Sequence, residues 1–111
     1  GHSMGDEVIK LTAQMIIGRI RTVDLASRLH GDEFAIFVSN TADYAVARGI
    51  IGDINHSIAK EAKKRNMPSI TISAGAVVAK RGDSYAVLAK AADTALYNAK
   101  ETHNGGFAHD A

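Results

Sequence analysis

The sequence predicts an α/β fold, more specifically an α+β sandwich in which helices flank a mixed sheet. Apolar residues recur at helical spacing in three long segments. Two short apolar runs flank a tight turn, and a run rich in β-branched residues lies between the second and third helical segments. The resulting order of helix, strand, strand, helix, strand and helix is typical of helices packed on a sheet.

The composition is that of one ordinary globular domain, predicted over residues 1–111. Hydrophobic residues make up 46% and charged residues 23% of the chain. The net charge of +1 gives no sign of nucleic-acid binding, and the lack of cysteine excludes disulfides and thiolate metal sites. No apolar run approaches the roughly 20 residues of a membrane-spanning helix. We therefore expect a cytoplasmic domain, within a full protein that could itself be attached to a membrane.

The first element is a helix predicted over residues 5–21. Its apolar positions recur every three or four residues, as expected for a helix that packs on a large surface. They are Ile9, Ala13, Ile16 and Ile20, with Val8, Leu11 and Ile17 widening the stripe.

Two strands follow, predicted over residues 23–29 and 34–39 and joined by a hairpin at residues 30–32. In the second strand Phe34 and Ile36 lie on one face and Phe37 on the other. A strand that is apolar on both faces is expected to be covered on both. The sequence therefore predicts a central strand.

The second helix is predicted to begin at a Thr41 cap and to end before Asn66 and Pro68. A strand over residues 70–78 follows, in which Gly75 marks a bulge or a close backbone approach. The third helix is predicted over residues 84–100, and a short strand is expected around Phe107. The apolar stripes of the two helices are Val46, Ile50, Ile54, Ile58 and Ala62, and then Val87, Leu88, Ala91, Ala92, Ala95, Leu96 and Ala99.

The hairpin places two adjacent carboxylates, Asp32 and Glu33, at the edge of the predicted sheet. Carboxylate oxygens there can hold a hard cation such as Mg²⁺ together with substrate phosphates. The alternative is ordinary turn chemistry with solvated charges. The residues of the hairpin alone leave both interpretations open.

Four blocks, taken in order, form a more specific pattern. Residues 1–6 read GHSMGD, residues 28–34 RLHGDEF, residues 72–75 ISAG and residues 92–100 ADTALYNAK. This pattern resembles the GGDEF family of diguanylate cyclases, with His30 where that family has its first glycine. The resemblance covers residues 1 to about 105 and implies a palm-like mixed sheet flanked by helices. It also favours native sequence over a cloning remnant at residues 1–4.

The resemblance implies an enzyme that condenses two GTP molecules into cyclic di-GMP as a homodimer, with Mg²⁺ or Mn²⁺ as cofactor. Asp32 and Glu33 would be the metal-coordinating and catalytic acids, and Gly31 would let the backbone approach the nucleotide. Asp6 would read the guanine edge, although a carboxylate is also favoured at a helix start for dipole reasons. Lys100 would contact the phosphates. Fused sensory or EAL-type domains are expected in the full protein.

Arg21 and Asp24 resemble the family's Arg-x-x-Asp inhibitory motif, five residues before the hairpin motif. The arginine would bind the guanine O6/N7 edge or a phosphate, and the aspartate would accept from guanine N–H donors, which suits feedback by the product. The alternative is an exposed ion pair at the start of a strand. Asp93 and Tyr97 are expected to be structural.

Three departures from the family pattern predict a copy that is weak or inactive. His30 adds bulk and tolerates positive φ poorly where the family has glycine. Residues 103–105 lack the family's second phosphate-binding cation. The family's first strand, which carries an Asp metal ligand, would lie before Gly1. The alternative function is a degenerate GGDEF module that binds GTP or cyclic di-GMP and regulates a neighbouring domain.

Overall fold

The computed structural model describes residues 3–30, 33–68, 70–102 and 106–109 and confirms the predicted mixed α/β fold. Within these residues the chain forms three helices and four strands. They are α1 (Met4–Arg19), β1 (Leu25–His30), β2 (Glu33–Phe37), α2 (Tyr44–Lys64), β3 (Ala74–Ala76), α3 (Tyr85–Thr102) and β4 (Phe107–His109). No helix of this described part is long and apolar enough to cross a membrane.

The strands pair as two small sheets. β1 and β2 are antiparallel, with Leu25 opposite Phe37, and β3 and β4 are parallel, with Gly75 opposite Ala108. β1 therefore is the hydrogen-bonded neighbour of β2 among the described residues, and Phe37 is 48% exposed. The prediction of a central β2 that is covered on both faces is therefore wrong for this part of the chain. Apolar side chains on both faces favour burial, but burial also requires another element to pack on each face.

The chain divides into two compact units. Unit 1 comprises Gly1–Thr41 and Gly52–Ile70, and unit 2 comprises Ala42–Ile51 and Thr71–Ala111. The buried helical residues of unit 1 lie on α1 and α2, and those of unit 2 lie in the first turns of α2 and on α3. They are Leu11, Thr12, Ile16, Ile54, Ile58 and Ala62 in unit 1, and Ile50, Ala95 and Ala99 in unit 2.

The core face of α1 is rotated from the predicted stripe. Leu11, Thr12 and Ile16 are buried, whereas Ile17 is 70% exposed. Thr12 tolerates burial because its hydroxyl donates to the Val8 carbonyl at 2.9 Å. Apolar residues lie on more than one side of this helix, so periodicity alone did not identify the side that packs.

Both ends of α2 are fixed by local capping. The Asp43 carboxylate accepts from the Ala45 amide at 2.8 Å, immediately before the helix begins at Tyr44. The predicted Thr41 cap is therefore wrong. At the other end Asn66 has a φ of 55°, and the Met67 amide donates to the Ala62 carbonyl at 2.8 Å. This Schellman-type ending confirms Asn66 as the helix stop.

In unit 2 the backbone of β3 lies against the backbone of α3. A Cβ at Gly75 would overlap the Leu96 amide nitrogen and the Ala92 carbonyl oxygen. The predicted close backbone approach at Gly75 is confirmed, but the strand spans residues 74–76 rather than 70–78. It is short because its partner β4 has three residues, and a strand extends only as far as its hydrogen-bonded ladder.

β4 confirms the short strand expected around Phe107, and aromatic contacts hold it to the start of α2. The Tyr44 ring stacks on His109 with ring centroids 4.0 Å apart, and the Arg48 guanidinium lies 5.1 Å from the centre of the Phe107 ring. The Tyr44 hydroxyl also accepts from the Val78 amide at 3.0 Å. One tyrosine thus ties together three separate segments of unit 2.

Candidate functional site

A shallow depression in unit 1 is lined by residues of α1 and β1. Asp6, Ile9 and Lys10 come from the first two turns of α1, and Arg28 comes from β1. The volume of the depression is about 250 Å³. Because its three charged side chains are exposed, it presents a carboxylate and two cations to solvent around one apolar side chain.

Asp6 is presented by the capped first turn of α1. The Ser3 hydroxyl oxygen accepts from the Asp6 amide at 3.2 Å, so Ser3 is the N-cap of the helix. This leaves the Asp6 carboxylate in the first turn, where the helix dipole favours negative charge. This position in the first turn fits both interpretations of Asp6, as a carboxylate favoured by the helix dipole and as a group that reads the guanine edge.

The hairpin motif begins on β1 and ends on β2. Glu33 is the first residue of β2, is half-buried and lies opposite His30, with a register irregularity between Arg28 and His30. His30 lies in the extended backbone of β1, and the non-glycine residues with positive φ in the described part are Asn40 and Asn66. The expected strain from positive φ at His30 is therefore wrong. Gly31 and Asp32 lie outside the described residues.

Arg21 and Asp24 form a closed, hydrogen-bonded pair between α1 and β1, here called the Arg21–Asp24 clasp. Arg21 Nε donates to Asp24 Oδ2 and Arg21 Nη2 to Asp24 Oδ1, each at 2.9 Å. The Arg21 amide donates to Oδ2 and the Ser39 amide to Oδ1, also at 2.9 Å. Arg21 Nη2 further donates to the Ser39 carbonyl at 2.6 Å. The clasp thereby joins the turn before β1 to the segment after β2.

The two side chains of the clasp differ in exposure. The Asp24 side chain is 0% exposed, whereas the Arg21 side chain is 40% exposed. The Arg21 guanidinium holds the pKa of the Asp24 carboxyl well below its usual range, with help from the Ser39 and Arg21 amides and against the opposing effect of burial. The same hydrogen bond raises the pKa of Arg21. The predicted ion pair is present, but its acid is buried.

The remaining predicted residues lie in unit 2. Lys100 is exposed in the last turn of α3, where a cation is favoured by the helix dipole. Tyr97 is 64% exposed and Asp93 is also exposed, so neither side chain is packed in the core, and a structural role through hydrogen bonds stays a prediction. Residues 103–105 lie outside the described part.

No group of three or more His, Asp or Glu side chains gathers as a metal site among the residues that the structure describes. At the hairpin this described part supplies one carboxylate, that of Glu33. A single carboxylate does not make a Mg²⁺ site without further ligands. The described residues therefore do not by themselves fit the expected metal.

Comparison with known proteins identifies the family to which this fold belongs. The family model "Diguanylate cyclase, GGDEF domain" matches residues 1–105, nearly the whole chain. The chain belongs to the GGDEF family of diguanylate cyclase domains.

Among curated proteins the chain is similar to the response regulator PleD of Caulobacter vibrioides, with 35% identity over 104 residues that cover 90% of the chain and 23% of PleD. It is equally similar to the diguanylate cyclase TpbB of Pseudomonas aeruginosa, with 35% identity over 109 residues that cover 95% of the chain and 25% of TpbB. The chain thus spans about a quarter of the length of these relatives.

Solved structures agree with this assignment. The GGDEF domain of TpbB from Pseudomonas aeruginosa superposes with a TM-score of 0.76 at 31% identity, over 98% of the chain and 65% of that structure. A coiled coil and GGDEF domain of DgcB from Caulobacter crescentus, solved in complex with c-di-GMP, gives a TM-score of 0.74 at 28% identity, over 99% and 60%.

Sequence reasoning missed three groups that the structure places at these clusters. Lys10 and Arg28 line the depression with Asp6, and the backbone of Ser39 completes the clasp. Arg28 stands inside the hairpin motif and Lys10 lies one helical turn after Asp6, so helical spacing could have grouped Lys10 with Asp6. No local pattern links Ser39 to Asp24, because the contact is between backbone and side chain across fifteen positions.

Proposed function

We propose that this chain is the nucleotide-handling core of a diguanylate cyclase, which condenses two GTP molecules into cyclic di-GMP across a homodimer. The observation that carries the proposal is the depression in which Asp6, Lys10 and Arg28 come together beside the hairpin strand. Membership of the GGDEF family supports the choice of reaction. Cyclase activity of this copy is proposed to be weak, because a histidine side chain occupies the hairpin position at which the family has glycine.

The residues of the depression suit a guanine nucleotide. An exposed carboxylate such as that of Asp6 can accept from the two neighbouring N–H groups of a guanine edge. Lys10 and Arg28 carry the positive charge that a triphosphate requires, and arginine binds phosphate oxygens in a bidentate manner. These two cations could replace the second phosphate-binding cation of the family, which residues 103–105 lack.

The hairpin completes the proposed site. Asp32 and Glu33 would hold Mg²⁺ or Mn²⁺, together with ligands beyond the described residues, and the metal would neutralise phosphate charge and acidify the attacking 3′-hydroxyl. Gly31 would give the nucleotide close access to the backbone, and Lys100 would contact a phosphate. Glu33 is the first residue of β2 and is half-buried.

A second candidate function is a degenerate GGDEF module that binds GTP or cyclic di-GMP and regulates a neighbouring domain. The Arg21–Asp24 clasp favours it, because an exposed arginine is held in a fixed position outside the depression. The solved complex of DgcB with c-di-GMP supports cyclic di-GMP as the ligand. Fusion to sensory or EAL-type domains is consistent with a similar structure from an EAL/GGDEF domain protein of M. capsulatus.

Two measurements on the chain separate these candidates. Calorimetry with GTP and Mg²⁺ tests nucleotide binding, and chromatography of the reaction tests formation of cyclic di-GMP. For a hampered enzyme we expect His30→Gly to raise product formation at least several-fold, since the bulk beside the nucleotide is removed. A dedicated regulatory module would bind nucleotide in both forms and make product in neither. Absence of GTP binding in the wild type and in His30→Gly would contradict the proposed cyclase core.

A further inference from the structure

We propose that Lys10 is a specificity-determining residue, which donates a hydrogen bond to the O6 carbonyl of guanine while Asp6 accepts from the guanine N–H groups. The inference rests on the proposed function, in which the depression takes GTP. It deepens that function by assigning different tasks to the two cations of the depression. Lys10 reads the base, and Arg28 is left to contact the phosphates.

The first argument is the placement of Asp6 and Lys10 on α1. They are one helical turn apart, and both line the depression. Side chains at this spacing share a face of the helix, with Cβ atoms about 5–6 Å apart. Both are exposed, and the half-buried Ile9 beside them supplies apolar surface for a flat base. The helix therefore offers a carboxylate and an ammonium side by side to one ligand.

The second argument is the hydrogen-bonding pattern of the base. An ionised carboxylate only accepts hydrogen bonds, and a lysine ammonium only donates them. Guanine has the O6 acceptor next to its N–H donors, whereas adenine has an amino donor in the place of O6. Guanine can thus fill both carboxylate oxygens of Asp6 and also reach Lys10. Adenine has a single amino group on this edge, so it leaves at least one of these contacts unmade.

The third argument is the position of Arg28, which belongs to a different element. Arg28 lies on β1, where it pairs with Phe34 next to the hairpin, and Glu33 begins the adjoining strand. The metal proposed at Glu33 would hold the phosphates at the hairpin, so Arg28 would lie on the phosphate side. A guanidinium also matches phosphate oxygens as a bidentate donor. The cation that remains for the base is the one on α1, Lys10.

The first test measures nucleotide affinity by NMR titration with GTP and with 6-thio-GTP, in which sulphur, a weak acceptor, replaces O6. The wild type is expected to bind GTP about tenfold more tightly, as for one hydrogen bond to a charged group. Lys10→Met keeps most of the aliphatic stem, so it should weaken GTP binding by this factor and leave 6-thio-GTP binding unchanged. A preference for GTP that persists in Lys10→Met would overturn the proposal.

Two further variants serve as controls for charge. Arg28→Met should weaken GTP and 6-thio-GTP binding by the same factor, which leaves the preference intact. Lys60→Met removes an exposed lysine of α2 in the same unit, outside the depression, and should change neither affinity. An equal loss of GTP binding in Lys10→Met and Lys60→Met would indicate a general charge effect and overturn the proposal.

The second test separates a base contact from a phosphate contact. Guanosine, which has no phosphate, should lose the same factor in affinity as GTP in Lys10→Met, and should bind Arg28→Met as it binds the wild type. In the unmodified chain guanosine should shift the Lys10 Nζ resonance, whereas inorganic triphosphate should not. This measurement does not depend on the folding of any variant. A Lys10 resonance that responds to inorganic triphosphate and not to guanosine would assign Lys10 to the phosphates and overturn the proposal.

The inference and the proposed function fail in different ways. If the wild type binds neither GTP nor guanosine, both are contradicted. If the wild type binds GTP and Asp6→Asn weakens that binding while Lys10→Met retains full affinity, the guanine site stands and the specificity role of Lys10 is overturned.

Discussion

The two compact units of this chain are stabilised in different ways. Unit 2 depends on small residues that let two backbones touch, with Gly75 against α3 and with Ala95 and Ala99 buried. Unit 1 depends on larger aliphatic residues and on the Arg21–Asp24 clasp. The helix α3, which carries the longest of the family blocks, is thus mainly a packing element, and apart from Lys100 the residues proposed to act lie in unit 1.

The largest expected effect is on unit 2. Gly75→Ala should lower the free energy of unfolding by about 3 kcal/mol or more, since the added methyl group meets backbone atoms that cannot rotate away. Chemical denaturation measures this change. Gly49→Ala is the matched control, because a Cβ there meets nothing within 4 Å in the middle of a helix and should stabilise by roughly 0.5 to 1 kcal/mol. Similar effects of the two substitutions would contradict the close packing of β3 on α3.

The next effect concerns the acid stability of unit 1. Because the pKa of Asp24 is lowered in the folded state, its contribution to stability is present above its ordinary value of 3.8 and is lost as the pH falls below that value. The wild type should therefore lose more stability than Asp24→Asn between about pH 5 and about pH 3. Thermal unfolding over this range measures the difference. Identical pH slopes in the two proteins would show that the clasp does not stabilise unit 1.

A smaller effect is expected at the depression, where the side chain is exposed and the fold does not depend on it. Asp6→Asn should leave the unfolding midpoint nearly unchanged and weaken GTP binding about tenfold, because a neutral amide presents one acceptor where guanine offers two N–H donors. Calorimetry of both proteins tests this. Glu7→Gln is the control, since Glu7 shares the first turn of α1 without lining the depression. Equal losses in both variants would indicate a general charge effect.

The smallest effect is expected at Tyr97, within the signature block of α3. Its ring is largely exposed, so Tyr97→Ser should change the free energy of unfolding by no more than about 0.5 kcal/mol. Ala95→Ser, two residues away and buried, provides the contrast and should be clearly destabilising, because it places a hydroxyl in the closely packed face. A large loss for Tyr97→Ser would show that α3 has a further contact surface.

Much of the fold and part of the site could be predicted from the sequence. The structure confirms the types of the elements and the buried stripe of α2, which runs through Ile50, Ile54 and Ile58. It also confirms the end of α2 at Asn66 and the close backbone approach at Gly75. The errors share one cause. Each error concerns a contact with another part of the chain: the side of α1 that packs, the length of β3 and the burial of β2. The periodicity of one segment contains no information about which elements pack against it.

The same division holds for the residues proposed to act. By itself the sequence determined the family and the candidate side chains, because motif spacing and local periodicity are properties of short stretches of chain. Tertiary structure alone decided that Asp24 is buried and fully hydrogen-bonded while Asp6 is exposed beside Lys10 and Arg28. The physical reason is that burial and hydrogen-bond occupancy arise from partners such as Ser39 that are distant in sequence and meet when the chain folds.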